Sequence, residues 1–93
     1  MEEVIVYGYQ YWSLTDDRTG ERREGYSFHM ACLTPPNSPS FVGTQVQKLS
    51  VPKNVYDSWV ANGSYIPVPG DRCYIILGFR GALRSFQKIP DGK

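Results

Sequence analysis

Glycine and proline recur along the whole chain, nine Gly and seven Pro in 93 residues. Gly is poor in helix interiors and Pro breaks them, so uninterrupted helical stretches are short and an all-α fold is excluded. Short strands joined by turns are what this punctuation favours. The length suits one domain, residues 1–93, and not two. With 41% hydrophobic and 20% charged residues, the chain can bury a small core and does not have the composition of a disordered segment.

The longest apolar run, Cys73 to Phe79, is broken by Gly78 and falls well short of the ~20 residues of a membrane-spanning helix. The start, Met1-Glu2-Glu3 followed by a tyrosine-rich alternation, lacks the basic and apolar blocks of a signal peptide. A cytoplasmic protein with no membrane partner is expected. Cys32 and Cys73 stand 41 positions apart without a CxxC, so free thiols acting as small buried hydrophobes are expected.

Ten Lys and Arg against nine Asp and Glu give a net charge of +1, which argues against coating nucleic acid by total charge. The distribution is uneven. Glu2, Glu3, Asp16 and Asp17 precede residue 18, whereas Arg72, Arg80, Arg84 and Lys88 cluster near the other end with only Asp91 after them.

Val4 to Ser13, VIVYGYQYWS, reads as a strand with Gly8 as a bend or bulge. Strict alternation puts Tyr7, Tyr9 and Tyr11 on one face and Val4, Val6 and Trp12 on the other. The charged stretch from Leu14 to Gly25 reads as a solvated hairpin tip, and Tyr26 to Leu33 as the second strand. Thr34 to Ser40 is a loop, since three of its seven residues are proline. Val42 to Val51 resumes extended character. Pro52 then suits a first helical turn, with Val55, Tyr56, Trp59 and Val60 at helical spacing, Ser50 as a candidate N-cap and Gly63 in place to end the helix. After a Pro-Gly-Asp turn at residues 69–71, Arg72 to Phe79 and Leu83 to Ile89 form a hairpin around Arg80-Gly81-Ala82. The order β-β-β-α-β-β predicts an all-β fold with one short helix, a five-stranded OB-like Greek-key barrel.

His29 is the one histidine and has no catalytic neighbour in sequence. With Cys32 and Cys73 it offers three ligands where structural zinc takes four, so no metal site is expected. There is no nucleophile elbow, no paired buried carboxylates and no phosphate-binding glycine motif. Neither enzymatic activity nor a cofactor is expected.

Aromatics and cations interleave instead: Tyr7, Tyr9, Tyr11, then Arg18, Arg22, Arg23, Tyr26, Phe28 and His29, and later Lys48, Phe79, Arg80 and Arg84. Rings beside cations match the π-faces and phosphates of an unpaired strand. No groove-reading helix for duplex DNA is evident. The competing explanation is that tyrosines in a small barrel pack across strands and close its ends.

The run Arg18-Thr19-Gly20-Glu21-Arg22-Arg23-Glu24-Gly25 before Tyr26-Ser27-Phe28 resembles the DNA-binding wing of the helix-destabilising, single-stranded-DNA-binding proteins of filamentous phages. In that family a Gly-containing hairpin with two arginines leads into a Tyr-Ser-apolar strand. Val46-Gln47-Lys48-Leu49-Ser50-Val51 resembles the family's central strand with its lysine, and Gly81-Ala82-Leu83 to Ile89-Pro90 its final hairpin. The resemblance spans Val4 to Pro90. It implies that Arg18 and Arg23 contact phosphates, that Tyr26 and Phe28 lie under bases and that Lys48 supports the backbone path. Arg80 falls near a family aromatic that reaches DNA from the partner subunit. Departures are Arg80 itself, a hairpin shorter by about two residues before Tyr26, the proline loop and a clearer helix at Pro52 to Ala61.

The expected DNA-binding set is therefore Arg18, Arg22, Arg23, Tyr26, Phe28, Lys48, Arg80 and Arg84. The expected function is coating of single-stranded DNA, with RNA left open, by a homodimer in replication of a phage or mobile element. The dimer is expected because the Cys73 to Ile89 hairpin carries more apolar surface than one face hides. Rival readings are a protein-interaction or regulatory β-barrel using its tyrosine face, and a sugar-binding barrel.

Overall fold

The computed structural model describes residues 2–33 and 39–90. The expected proline loop falls mainly outside these residues. Five strands, β1 (Glu2–Thr15), β2 (Arg22–Cys32), β3 (Val46–Pro52), β4 (Arg72–Leu77) and β5 (Leu83–Lys88), and one helix, α1 (Lys53–Ala61) between β3 and β4, give the anticipated element order. The strands form one antiparallel sheet in the order β3-β2-β1-β4-β5. The edge strands β3 and β5 also approach each other.

The central strand β1 is long, 14 residues or about 46 Å of extended chain. Its first residues, Glu2 to Ile5, pair with β4, while among the described residues Gly8 to Thr15 pair only with β2. The second half of β1 and the first half of β2 therefore project as a two-stranded wing. Arg22 to Gly25, expected in the hairpin tip, belong to this ladder, because Thr15 pairs with Arg22 and Trp12 with Gly25. The tip is residues 16–21. There the Asp16 carboxylate accepts from the Arg18 N–H at 2.8 Å, and Gly20, at φ 73°, takes the left-handed turn position.

One face of the sheet, with α1 against it, encloses Val4, Val6, Phe28, Met30, Val51, Cys73, Ile75, Leu83 and Phe86. Trp59 is the buried residue of α1. Its ring packs 6.1 Å from Phe28 and 5.9 Å from Phe86, and its Nε1 donates to the Arg84 carbonyl at 3.2 Å, which ties the helix to β5. At the helix C-terminus the Ser64 N–H reaches the Trp59 carbonyl (2.9 Å), the Gly63 N–H reaches that of Val60 (3.2 Å), and Gly63 sits at φ 66°. This is the glycine stop read from the sequence. The N-terminus differs from expectation. Pro52 occupies the cap with no side-chain hydrogen bond, and Ser50 instead faces Ser27, hydroxyl to hydroxyl, at 2.7 Å.

The faces of β1 also differ from simple alternation. Val6 pairs with Met30 and Gly8 with His29, so Tyr7 is an extra residue, a β-bulge. Beyond it the phase reverses: Tyr9 and Tyr11 join Val4 and Val6 on the helix side, opposite Phe28 and Tyr26, and Trp12 moves to the outer face. Within the β4–β5 hairpin, Cys73 and Ile75 are core and Tyr74 and Ile76 half-buried, whereas Leu77 and Phe79 remain 47% and 85% exposed. The apolar surface expected there is greatest at the tip. No helix among the described residues is long and apolar enough to cross a membrane.

Candidate nucleic-acid interface

Cross-strand partners share a face, so the ladder sorts the expected binding residues. On the outer face, away from α1, Leu14 lies opposite Arg23, Trp12 opposite Gly25, Gln10 opposite Ser27, and Gly8 opposite His29. β3 continues the rows, with Ser50 opposite Ser27 and Lys48 opposite His29. Arg23, His29 and Lys48, all exposed, and the half-buried Trp12 thus occupy one outer strip that runs from the wing to the β2–β3 edge. On the helix side lie Arg22, Tyr26 and Phe28.

The placement of Phe28 corrects its expected role. Its ring is 0% exposed, 5.0 Å from Tyr9 and 4.9 Å from Phe86, so no base can lie on it while the chain is folded. Tyr26 is half-buried and stacks on Tyr56 of α1, centroids 3.9 Å apart and planes at 25°. Arg22 donates to Tyr11 Oη at 3.2 Å, and Tyr11 donates to Glu24. Tyr9 and Tyr11, 39% and 42% exposed, complete a tyrosine ledge beside the helix. The ledge pushes the Tyr56 phenol above its usual range, by burial first and then by its hydrogen bond with Tyr9.

Arg18 is exposed at the wing tip. Arg80 lies in the β4–β5 turn with φ 60°, its guanidinium 5.3 Å from the centre of the Phe79 ring. That turn follows Leu77, and β4 runs past Glu2, so Arg80 and Arg18 mark opposite ends of β1. Arg84 is exposed on β5. A single chain puts Arg23 and Lys48 on one face, Arg23 beside the Arg18 tip and Lys48 farther along the strip, and leaves Arg22, Arg80 and Arg84 elsewhere.

Two recesses open on the outer strip. One, of about 340 Å³, is lined by Gln10, Trp12, Leu14, Ser27, His29, Lys48 and Ser50. Its neighbour, of about 310 Å³, is lined by Tyr7, His29, Met30, Val46, Gln47 and Lys48. Both volumes lie at the small end of the range for ligand sites. The indole of Trp12 rests on Gly25: a Cβ there would stand 2.7 Å from Trp12 Cζ2 and 2.2 Å from the Val51 carbonyl oxygen. Lys48 has no hydrogen bond or ion pair among the described residues. Arg23 meets Glu21 only at 3.9 Å between exposed groups, a contact of little energy. Both cations are therefore available to an anion.

Sequence reasoning set Trp12 on the face of Val4 and Val6 and so did not offer it as a candidate for this strip. The signal was present in Gly8, read as a bulge, but the phase change a bulge imposes was not carried forward to Trp12. His29 lies opposite Lys48 on the outer face while Cys32 and Cys73 are in the core, so the three candidate metal ligands are not brought together. No family model, curated protein or solved structure matches the chain.

Proposed function

We propose that this chain binds single-stranded DNA without strong sequence preference. It would act as a stoichiometric, helix-destabilising coat in the replication of a phage or mobile element. The observation that carries this reading is the outer strip, where a ring (Trp12), an imidazole (His29) and two available cations (Arg23, Lys48) share one exposed, recessed face. Stacking gives ~1–3 kcal/mol per base whatever the base, and the cations supply salt-dependent phosphate contacts.

The architecture supports the same reading. We take the sheet as an OB-like barrel opened between β3 and β5, because the strand order, the approach of those two edges and the helix between β3 and β4 all suit that fold. OB-folds bind oligonucleotides on the strand 2–3 face and the loops after strands 1 and 4, which here correspond to the outer strip, the wing tip with Arg18 and the turn with Arg80. Because Arg80 sits at the far end of β1 from the wing, a two-fold dimer through the exposed Leu77 and Phe79 tip would let the turn of one copy serve the strip of the other.

A gel-shift comparing oligo-dT with duplex of equal length tests the reading. Preference for the single strand supports it, and no binding at low salt overturns it. The tyrosine ledge favours a second reading, a protein-interaction module engaging Tyr9 and Tyr11. In that case a Tyr9→Ala/Tyr11→Ala variant would lose a protein partner, and Trp12→Ala/Lys48→Ala would change nothing measurable.

A further inference from the structure

The larger recess has two chemically different ends. Trp12 and Leu14 form an apolar end toward the wing, and Lys48, beside the His29 imidazole, forms a cationic end toward β3. Between them the hydroxyls of Ser27 and Ser50 hydrogen-bond each other, 2.7 Å apart. The Trp12 row and the His29–Lys48 row are four residues apart on β2, about 13 Å of strand. Trp12 on β1 and Lys48 on β3 are also two strand spacings apart across β2, about 10 Å, and both side chains line the same recess.

The indole stands in a particular way. Its Cζ2 and Cε2 atoms lie nearest Gly25, and Nε1, next to Cε2, is buried. Trp12 is half-buried, and the part of the indole away from Gly25 lines the recess. A flat ring can lie against an indole face, and an ammonium without a counter-ion attracts a phosphate. A ligand with an aromatic ring at one end and a phosphate at the other matches both ends at once.

We propose that this recess is a subsite for a single nucleotide held in one direction, its base against Trp12 and its phosphate at Lys48. The proposal rests on the single-strand reading above and deepens it, because it fixes which ring carries a base and which way the strand enters. Gly25 is part of the device, since any side chain there would lift the indole off the strand. The recess also explains why one nucleotide suffices as a probe: both ends belong to one cavity.

The test uses the full chain and three probes, thymidine monophosphate, thymidine and inorganic phosphate, read by the indole N–H signals in NMR and by tryptophan fluorescence. Trp12→Phe assigns the responding signal, and Trp59→Phe gives an independent assignment should either variant fold poorly. The monophosphate is expected to shift the Trp12 signal and to bind more tightly than thymidine, with phosphate alone leaving the signal in place. Lys48→Ala should erase the difference between monophosphate and thymidine. Trp12→Ala should weaken oligo-dT binding about five- to 150-fold, the size of one lost stack. The proposal fails if oligo-dT binds while neither nucleoside nor nucleotide moves the Trp12 signal, or if Lys48→Ala keeps the monophosphate advantage; the single-strand reading would then survive alone. If the wild type binds no single strand, both fall.

Discussion

Cys32 and Cys73 flank the same residue: Val4 pairs with Cys32 on β2 and with Cys73 on β4. Two strand spacings, about 10 Å, separate their Cα atoms, whereas a disulfide needs less than about 7 Å. Burial, the largest cause for each, pushes both thiols up to about 11. At pH 8 about one thiol in a thousand is then ionised, and the thiolate is the reactive form. Neither cysteine should react with a thiol reagent until the chain unfolds, and both should react at once in denaturant. Rapid labelling of the native chain would contradict the register.

Gly25→Ala places a methyl group against the Val51 carbonyl and the Trp12 ring. Overpacking of this kind costs ~1–3 kcal/mol. A lowered melting temperature together with weaker oligo-dT binding by the folded fraction is expected. Retained affinity in folded protein would show that Trp12 need not rest on the strand to act.

The pleat separates the arginines. For single strands the salt slope of log K is about −0.7 per phosphate neutralised. Arg23→Ala and Lys48→Ala should each flatten the slope by about that amount, while Arg22→Ala, on the helix side beside Tyr11 and Glu24, should leave it nearly unchanged. Titrations at several salt concentrations distinguish the three.

Phe28→Ala removes a fully enclosed ring and should cost ~3–5 kcal/mol, enough to unfold a small domain. Tyr26→Ala breaks the stack on Tyr56, worth ~0.5–1.5 kcal/mol beyond the area lost. Weakening of DNA binding by Tyr26→Ala should track the unfolded fraction, which parallel thermal melts and titrations measure. Weakening in fully folded protein would restore Tyr26 to the site.

Tyr65 donates to the Asp71 carboxylate at 2.7 Å, and the Val68 N–H donates to the same oxygen at 3.1 Å. The Tyr65 bond is the main reason the Asp71 carboxyl lies below its ordinary value. A depressed carboxylate stabilises the fold above the unfolded-state value near 4 and loses that contribution as pH falls through the folded value. Tyr65 is shifted the other way, by burial first and then by Asp71, so it withdraws stability as pH rises past 10. Tyr65→Phe should raise the Asp71 midpoint in a carboxyl NMR titration and flatten both limbs of stability against pH.

Local chemistry determined much of this protein. Gly63 ends the helix because a left-handed position suits glycine, and helical spacing around Trp59 put that ring inward. Gly and Pro spacing gave the strand count, and the helix between the third and fourth strands followed from the change of period at Pro52. Which residues share a face was decided only by tertiary structure. A side chain's face has period two, so the single extra residue at Tyr7 reversed every later position of β1 and sent Trp12 outward and Tyr9 and Tyr11 inward. Phe28 is core rather than platform because α1 folds over that side and sets Trp59 against it. Tyr26-Ser27-Phe28 reads the same in sequence whichever face the helix covers, since the helix contact is made by residues some thirty positions away.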